Sequence, residues 1–182
     1  PNTSREEIMR VSRKIVSEKG LPALNMRALA KECGIALGTL YNYYSDKDEL
    51  VVAAIESVWQ DILEKSAPDS GVRFSQYVMH IYARILSGLK DYPDFFAAHS
   101  ISVAGSAKGK ARGTMERCFG KIRGELHAAL REDKNVDRSI FSETFREEDL
   151  IEHILDTITI SIINGKPDCA TLTEILDRLL YR

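Results

Sequence analysis

The chain has 182 residues, a formal net charge of −2 at pH 7 and 44% hydrophobic residues. This length allows one small and one larger globular core, and no apolar run approaches the roughly 20 residues that are needed to cross a bilayer. Because no basic-then-apolar leader follows Pro1, a cytoplasmic protein is expected rather than a secreted or membrane-inserted one.

The first predicted element is a helix from about Ser4 to Lys19. Ser4 and Glu7 form a Ser-x-x-Glu capping box. Apolar residues at positions 8, 11 and 15 then recur at helical spacing, and Gly20 ends the pattern. The sequence therefore predicts an amphipathic helix that opens the first domain.

Two shorter helical patterns around a glycine come next. Asn25 can cap a helix that ends at Gly34, a residue able to adopt the left-handed conformation of a tight turn. Leu37 to Tyr43 then form about two turns of helix, with Leu40 directed inward and aromatic and polar side chains left at the surface. This helix-turn-helix pattern is typical of DNA-binding proteins.

Lys47 lies in the first turn of the next predicted helix, which Asp46 and Glu49 can cap. The helix dipole disfavours a cation at this position. A DNA phosphate held by Lys47, the tyrosine hydroxyls and the helix-end amides would resolve the conflict. A solvated lysine is the alternative.

The run from Gly38 to Lys47, GTLYNYYSDK, resembles the end of the DNA-binding unit of TetR-type transcriptional regulators, and the resemblance extends from about Ile8 to Val52. It implies an all-α fold with an N-terminal three-helix helix-turn-helix DNA-binding domain at residues 1–48. A C-terminal helical domain for ligand binding and dimerisation follows at residues 49–182.

Carried over to this sequence, the resemblance implies that Thr39, Tyr43 and Lys47 touch phosphates. Arg27 and Asn42 are the expected base readers, since arginine recognises guanine and asparagine adenine. Leu37 stands where a polar residue often begins the recognition helix, so only apolar contact is expected there. The full set expected at the DNA is Asn25, Arg27, Leu37, Gly38, Thr39, Tyr41, Asn42, Tyr43 and Lys47. Leu40 and Tyr44 are predicted to pack inside the domain.

The charges are distributed unevenly along the chain. Residues 1–47 carry eight basic and five acidic side chains, a net charge of +3, whereas residues 139–182 carry four and nine, a net charge of −5. A basic first domain and an acidic end of the chain suit a molecule with one DNA-facing end.

Beyond Leu50 the apolar residues keep helical spacing, and no segment shows the alternation that is typical of a strand. The predicted segments are a helix to about residue 62, a helix over 74–91, a short helix through Phe95, Phe96 and His99, a flexible connection over 104–113, a helix to about residue 130, and a mostly loop segment over 131–148.

Two amphipathic helices end the chain, separated by Gly165 and Pro167, and the second is predicted to start at a Thr171–Glu174 capping box. The resemblance implies that this pair meets its copy in a four-helix dimer interface. A core within one chain is the alternative. The residues expected at the interface are Ile151, Ile154, Leu155, Ile158, Ile162, Leu172, Ile175, Leu176 and Leu179.

A small-molecule pocket in the second domain is also expected from the resemblance, because a pocket between helices needs apolar walls with a few polar anchors. The candidate residues are Trp59, Tyr77, His80, Ile81, Arg84, Phe96, His99, Met115, Phe119 and His153. Ordinary core packing is the alternative for each of them. Arg84 would favour an anionic ligand if buried in the cavity, whereas on an outer face it would only extend to solvent.

No metal and no cofactor are expected, since the four histidines lack paired spacing on one helix. Cys33, Cys118 and Cys169 are odd in number and widely spaced, which argues against a disulfide framework and a Cys-x-x-Cys zinc site. We expect small buried thiols; a redox switch at Cys118 or Cys169 is the alternative.

An enzyme is not expected, because the chain has no Gly-rich phosphate loop, no Gly-x-Ser-x-Gly elbow and no His-Glu-x-x-His pair. The predicted function is a ligand-responsive transcriptional repressor that binds a palindromic operator as a homodimer and is released by a small-molecule effector. The alternative is an all-helical dimeric protein-interaction module without sequence-specific DNA binding.

Overall fold

The structure, a computed structural model, describes residues 3–64, 71–95 and 108–181. Within these residues the regular elements are all helices, which confirms the predicted all-α fold. The structure also has one isolated β-bridge between Ser142 and Phe145. The helices are α1 (Arg5–Lys19), α2 (Met26–Cys33), α3 (Leu37–Tyr41), α4 (Lys47–Glu64), α5 (Phe74–Lys90), α6 (Lys108–Glu132), α7 (Glu147–Ile163) and α8 (Ala170–Leu180), with short 3-10 turns at Leu21–Ala23 and Arg138–Ile140.

The predicted helix starts in the first domain are confirmed by their caps. The Ser4 hydroxyl accepts a hydrogen bond from the Glu7 amide at 3.1 Å, and the Asn25 side chain accepts one from the Ala28 amide at 2.9 Å. The Asp46 carboxylate accepts the Glu49 amide at 2.8 Å. Each cap satisfies a helix amide that has no partner within its own helix.

Contacts divide the chain into two compact units, Pro1–Glu64 with Gly88–Cys118 and Lys65–Ser87 with Phe119–Arg182. We call them the first and the second unit. The predicted domain boundary after residue 48 stays a prediction, and α4 runs continuously through that position.

The core of the first unit is apolar, and burial of such side chains is the main stabilising contribution to folding. Leu40 is fully buried and Tyr44 is 2% exposed, which confirms that these two residues pack inside. Leu29 and Leu50 are also fully buried. The three helices of the DNA-binding pattern are therefore fixed by their own core.

The first unit also contains the end of α5 and the residues that follow it. The Ser17 hydroxyl of α1 donates a hydrogen bond to the Asp91 carbonyl at 2.7 Å. The Tyr92 hydroxyl donates to the Asp61 carboxylate of α4 at 2.6 Å. The rings of Trp59 and Phe95 meet edge to face with centroids 6.0 Å apart. The segment after α5 is thus attached to both α1 and α4.

Asp133 is buried in the second unit, with 7% of the residue exposed, and its carboxylate joins the start of α5 to the end of the chain. This carboxylate accepts hydrogen bonds from the Phe74 amide at 2.8 Å and from the Tyr181 hydroxyl at 2.5 Å. Burial alone would raise the pKa of Asp133, but the hydrogen bonds from Tyr181, Phe74 and Asn135 outweigh it and lower the pKa. Burial and the bond to Asp133 raise the pKa of Tyr181 to about 12.

Replacing Asp133 by asparagine is expected to lower the free energy of unfolding at pH 7 by about 1–3 kcal/mol, because charged hydrogen bonds to buried donors are lost. Since the pKa of Asp133 is lowered by folding, its stabilisation is present above the unfolded pKa of about 4 and is lost as the pH falls through the folded value. The difference between parent and variant should therefore shrink below about pH 4 in urea unfolding. Asp156→Asn, at an exposed position of α7, is the control; an equal loss in both variants would contradict this account.

Two sequence predictions on helix starts are wrong. Residues 108–113, predicted as part of a flexible connection, are helical, because lysine, alanine and arginine favour helix enough to offset the glycines. Helix α8 begins at Ala170 rather than at a Thr171 cap, and Asp168 accepts the Ala170 amide at 3.0 Å. Phe96, His99 and residues 104–107 lie outside the described residues.

Candidate nucleic-acid interface

The turn between α2 and α3 sets the direction of α3. Gly34 adopts the left-handed conformation with φ 65° and ψ 31°, as predicted. Its amide and that of Ile35 donate to carbonyls in the last turn of α2, with Ile35 bonded to Ala30 at 3.1 Å. Glycine adopts this conformation without the steric cost that a Cβ would add.

Helix α3 is shorter than predicted, ending at Tyr41. In the turn after α3, the Tyr43 and Tyr44 amides donate hydrogen bonds to the Leu40 carbonyl at 3.0 and 3.1 Å. Buried Leu40 anchors the inner face, while the Tyr41 side chain is 50% exposed. The geometry therefore presents a short, polar and aromatic helix to the outside of the first unit.

None of the nine residues predicted to face DNA is buried. Six are exposed and three, Leu37, Thr39 and Tyr43, are half-buried. The side-chain amide of Asn25 already makes hydrogen bonds within the chain: its oxygen caps α2, and its nitrogen donates to the Ala23 carbonyl at 3.3 Å. The contacts of these residues with DNA stay predictions.

The start of α4 carries Lys47 at an exposed position. Before it, the amide and the hydroxyl of Ser45 donate to the Glu49 carboxylate at 2.7 and 2.8 Å. These two bonds, and after them the nearby charge of Arg5, lower the pKa of Glu49. The backbone that leads into Lys47 is therefore held by side-chain contacts from α4 itself.

Tyr43 makes contacts that the sequence did not indicate. Its hydroxyl donates to the Thr3 carbonyl at 2.6 Å, and its own carbonyl accepts from the Arg5 guanidinium at 2.8 Å. The same guanidinium lies over the Tyr44 ring, 5.1 Å from the centroid. Arg5 was missed because these contacts join residues about 40 positions apart and follow no local motif.

The candidate ligand residues are distributed over both units. Trp59 is buried in the first unit, while Tyr77, His80, Ile81 and Arg84 lie on α5 in the second. Phe119 is half-buried and His153 is exposed. Phe96 and His99 lie outside the described residues, as does the side chain of Met115.

Arg84 is buried, so the alternative that it extends to solvent is wrong. Its guanidinium pairs with the Glu125 carboxylate at 2.6 Å, and its side chain is only 3% exposed. Tyr77 and Glu125 both line a cavity of about 450 Å³ in the second unit. The charge of Arg84 is thus compensated inside the protein by Glu125, which also lines this cavity of mixed polar and apolar walls.

Most of the predicted dimer residues are buried within the single chain. Ile151, Ile154, Leu155, Ile158, Leu172 and Leu176 are at most 6% exposed. They belong to the core of the second unit, which is what the alternative of an intramolecular core predicts for them. Ile162 is half-buried.

Exposed apolar side chains remain on the same two helices. Ile175 is 55% and Leu179 37% exposed, and both line a groove of about 440 Å³ between α7 and α8. Ile160 and Ile163 are 56% and 55% exposed. Ile160 and Ile163 are not in the predicted interface set, and their positions off the main apolar stripe of α7 are consistent with their exposure.

The described residues contain no cluster of three or more histidine, cysteine or acidic side chains suited to a metal ion. Burial raises the pKa of the Cys169 thiol to about 11, and it raises the pKa of the Cys118 thiol to about 11 as well. A thiol with such a pKa is a poor nucleophile at neutral pH. In the part of the chain that the structure describes, no helix is long and apolar enough to span a membrane.

The sequence is similar to one protein family and to several transcriptional regulators. Residues 8–54 match the family described as bacterial regulatory proteins, tetR family. The chain is 32% identical to the HTH-type transcriptional regulator UidR of Escherichia coli K12 over 77 residues, 42% of this chain and 39% of that protein. It is 32% identical to an uncharacterized HTH-type transcriptional regulator of Haemophilus influenzae over 99 residues, 48% of this chain. The match spans about half the length of that relative, 53%.

Solved structures show the same fold at low sequence identity. The multidrug binding protein EbrR, complexed with imidazole, matches with a TM-score of 0.63 and 17% identity over 100% of this chain and 97% of that one. BioQ bound to its double-stranded DNA operator matches with a TM-score of 0.58 and 18% identity over 88% of each chain. Residues 8–54 are thus identified as an N-terminal domain of the tetR family of bacterial regulatory proteins, and the chain shares the fold of these solved structures.

Proposed function

We propose that this chain is a transcriptional repressor that binds a palindromic operator as a homodimer and is released by a small-molecule effector. The observation that carries the proposal is the short helix α3, held out by the Gly34 turn and flanked by exposed Arg27, Asn42 and Lys47. Exposed donors around a helix of this kind suit the edges of bases and the phosphates of a duplex.

The roles of these side chains follow from their chemistry. Lys47 and Thr39 bind phosphates, which positions the protein on DNA without reading sequence. Arg27 and Asn42 read base edges, and Leu37 offers apolar contact to a thymine methyl group. BioQ, whose structure contains its operator, supports DNA as the partner through its similar fold.

A homodimer is supported by the exposed apolar side chains beside the α7–α8 groove, Ile175 and Leu179 foremost. A two-fold dimer uses the same patch on both copies and presents two α3 helices to two half-sites. Three of the six buried residues of the predicted set, Ile154, Leu172 and Leu176, also line this groove.

A small-molecule effector is supported by the cavity that Tyr77 and Glu125 line in the second unit. Its volume of about 450 Å³ is in the range of ligand pockets. Relatives of this chain are named as transcriptional regulators rather than as enzymes, which favours binding over catalysis as the role of this cavity.

Lys47→Ala is expected to weaken binding to every duplex and to lower the slope of log affinity against log salt by about 0.9, because one phosphate contact is lost. Arg27→Ala is expected instead to relax preference at one base position, at a cost of about 1–3 kcal/mol for the correct base. Fluorescence anisotropy with matched and mutated duplexes at several salt concentrations measures both effects.

Lys134→Ala, which removes an exposed cation from the second unit, is the control and should leave both quantities unchanged. Equal losses on all duplexes for Arg27→Ala would refute its role in base recognition. Binding that hardly responds to salt would favour the protein-interaction alternative, because contacts centred on aromatic side chains are screened little.

A further inference from the structure

Four residues join the start of α1 and the residue just before its cap to the turn that follows α3. They are Thr3, Arg5, Tyr43 and Tyr44, which we call the N-terminal clasp. The Tyr43 hydroxyl donates to the Thr3 carbonyl at 2.6 Å, and Arg5 donates to the Tyr43 carbonyl at 2.8 Å. Arg5 also lies over the Tyr44 ring at 5.1 Å, within the range of a cation–π contact.

The hydroxyl of Tyr43 has a single proton. A phosphate oxygen at neutral pH is an acceptor, so a tyrosine that binds phosphate must donate that proton to it. In this chain the proton is already donated to Thr3. A direct phosphate contact would therefore require the bond to Thr3 to break, leaving the carbonyl to find another donor.

The clasp joins the start of α1 to the turn between α3 and α4, and it is this turn that meets DNA in the proposed function. On one side it holds the residue before Ser4, whose hydroxyl and carbonyl accept the Glu7 and Ile8 amides and so cap α1. On the other side it holds the backbone between Asn42 and Lys47. Glu49 holds the same backbone from the α4 side through Ser45.

We propose that Tyr43 and Arg5 are positioning residues, which hold the turn between α3 and α4 in its DNA-binding geometry by fastening it to the start of α1. Tyr43 then promotes DNA binding without donating to a phosphate. The part of this inference that concerns DNA affinity rests on the proposed function. The contacts of the clasp are present in the protein without DNA.

The test compares Tyr43→Phe, Arg5→Met and the double variant in two measurements. The first is NMR hydrogen exchange of the Glu7 and Ile8 amides in the protein without DNA. The second is affinity for a duplex selected by the parent protein. Thermal unfolding of each variant establishes that the fold is retained. The matched controls are Tyr82→Phe, which also removes a tyrosine hydroxyl that donates to a backbone carbonyl, and Lys14→Met, which removes an exposed cation of α1.

The clasp predicts faster exchange of both amides in either single variant and DNA binding that is weaker by roughly fivefold, the effect of one or two hydrogen bonds. The double variant should lose little more than a single one, because the two residues act on the same turn. The controls should leave the exchange and the DNA affinity unchanged, since Tyr82 and Lys14 are not in the clasp and are not expected at the DNA.

Weaker DNA binding by Tyr43→Phe with unchanged exchange would overturn the inference, because the hydroxyl would then contact DNA directly. Losses of DNA affinity that add fully in the double variant would overturn it as well. If the parent protein selects no duplex, the proposed function fails and this inference with it; a parent that binds while both variants bind equally well contradicts the inference alone.

Discussion

Replacing Gly88 by alanine is expected to lower the free energy of unfolding by about 1–3 kcal/mol, although alanine favours helix more than glycine does. A Cβ at position 88 of α5 would lie 2.6 Å from Cγ2 and 2.9 Å from Cβ of Ile62 on α4. Ile62 is fully buried and branched at Cβ, so it has no flexible end that can move away. The two helices must separate, and urea unfolding measures the cost.

Gly124→Ala is the matched control, because it also adds a methyl group to a helical glycine but meets nothing within 4 Å. It should stabilise the protein by about 0.5–1 kcal/mol through helix propensity alone. If Gly88→Ala were as stable as Gly124→Ala, the close approach of α4 and α5 would be refuted. Because α4 continues from the DNA-binding domain, Gly88→Ala should also disturb the position of Lys47.

Replacing Ile175 by glutamate is expected to convert the proposed dimer to monomers, with dimer affinity weaker by on the order of a hundredfold or more. The side chain is 55% exposed in the single chain, so the charge costs little there. In a symmetric interface the carboxylate is buried in both copies without a partner. Sedimentation equilibrium measures the change, and affinity for a two-half-site duplex should fall with it.

Met79→Glu serves as the control for this substitution, since Met79 is 43% exposed on α5 and is not among the residues that line the groove. It should leave the oligomeric state unchanged. A parent protein that is monomeric at all concentrations, or an Ile175→Glu variant that dimerises as well as the parent, would contradict an interface at the α7–α8 groove.

The elements near the proposed DNA-binding surface were predictable because their signals are local. The caps at Ser4, Asn25 and Asp46 each involve residues three positions apart, so the pattern itself contains the contact. The left-handed conformation of Gly34 is likewise a property of one residue and its turn.

Contacts between distant residues were not predictable in this way. Nothing in the sequence indicates that Tyr43 reaches Thr3 or that Gly88 lies against Ile62, because such contacts depend on how helices cross. The periodicity of apolar residues along α7 also did not show which of them belong to the core of one chain and which could belong to an interface between chains. A stripe of apolar residues shows which face is covered, but it does not show whether the covering surface belongs to the same chain.

Selection of bound duplexes from a random-sequence pool tests whether the surface around α3 and Lys47 binds a specific duplex. The pool is offered at low salt to the parent protein and to Lys47→Ala, which removes a proposed phosphate contact at an exposed position. We expect the parent to enrich a palindrome and the variant to enrich it much less. Enrichment of no sequence by the parent, or equal enrichment by the variant, would show that this surface does not bind a specific duplex.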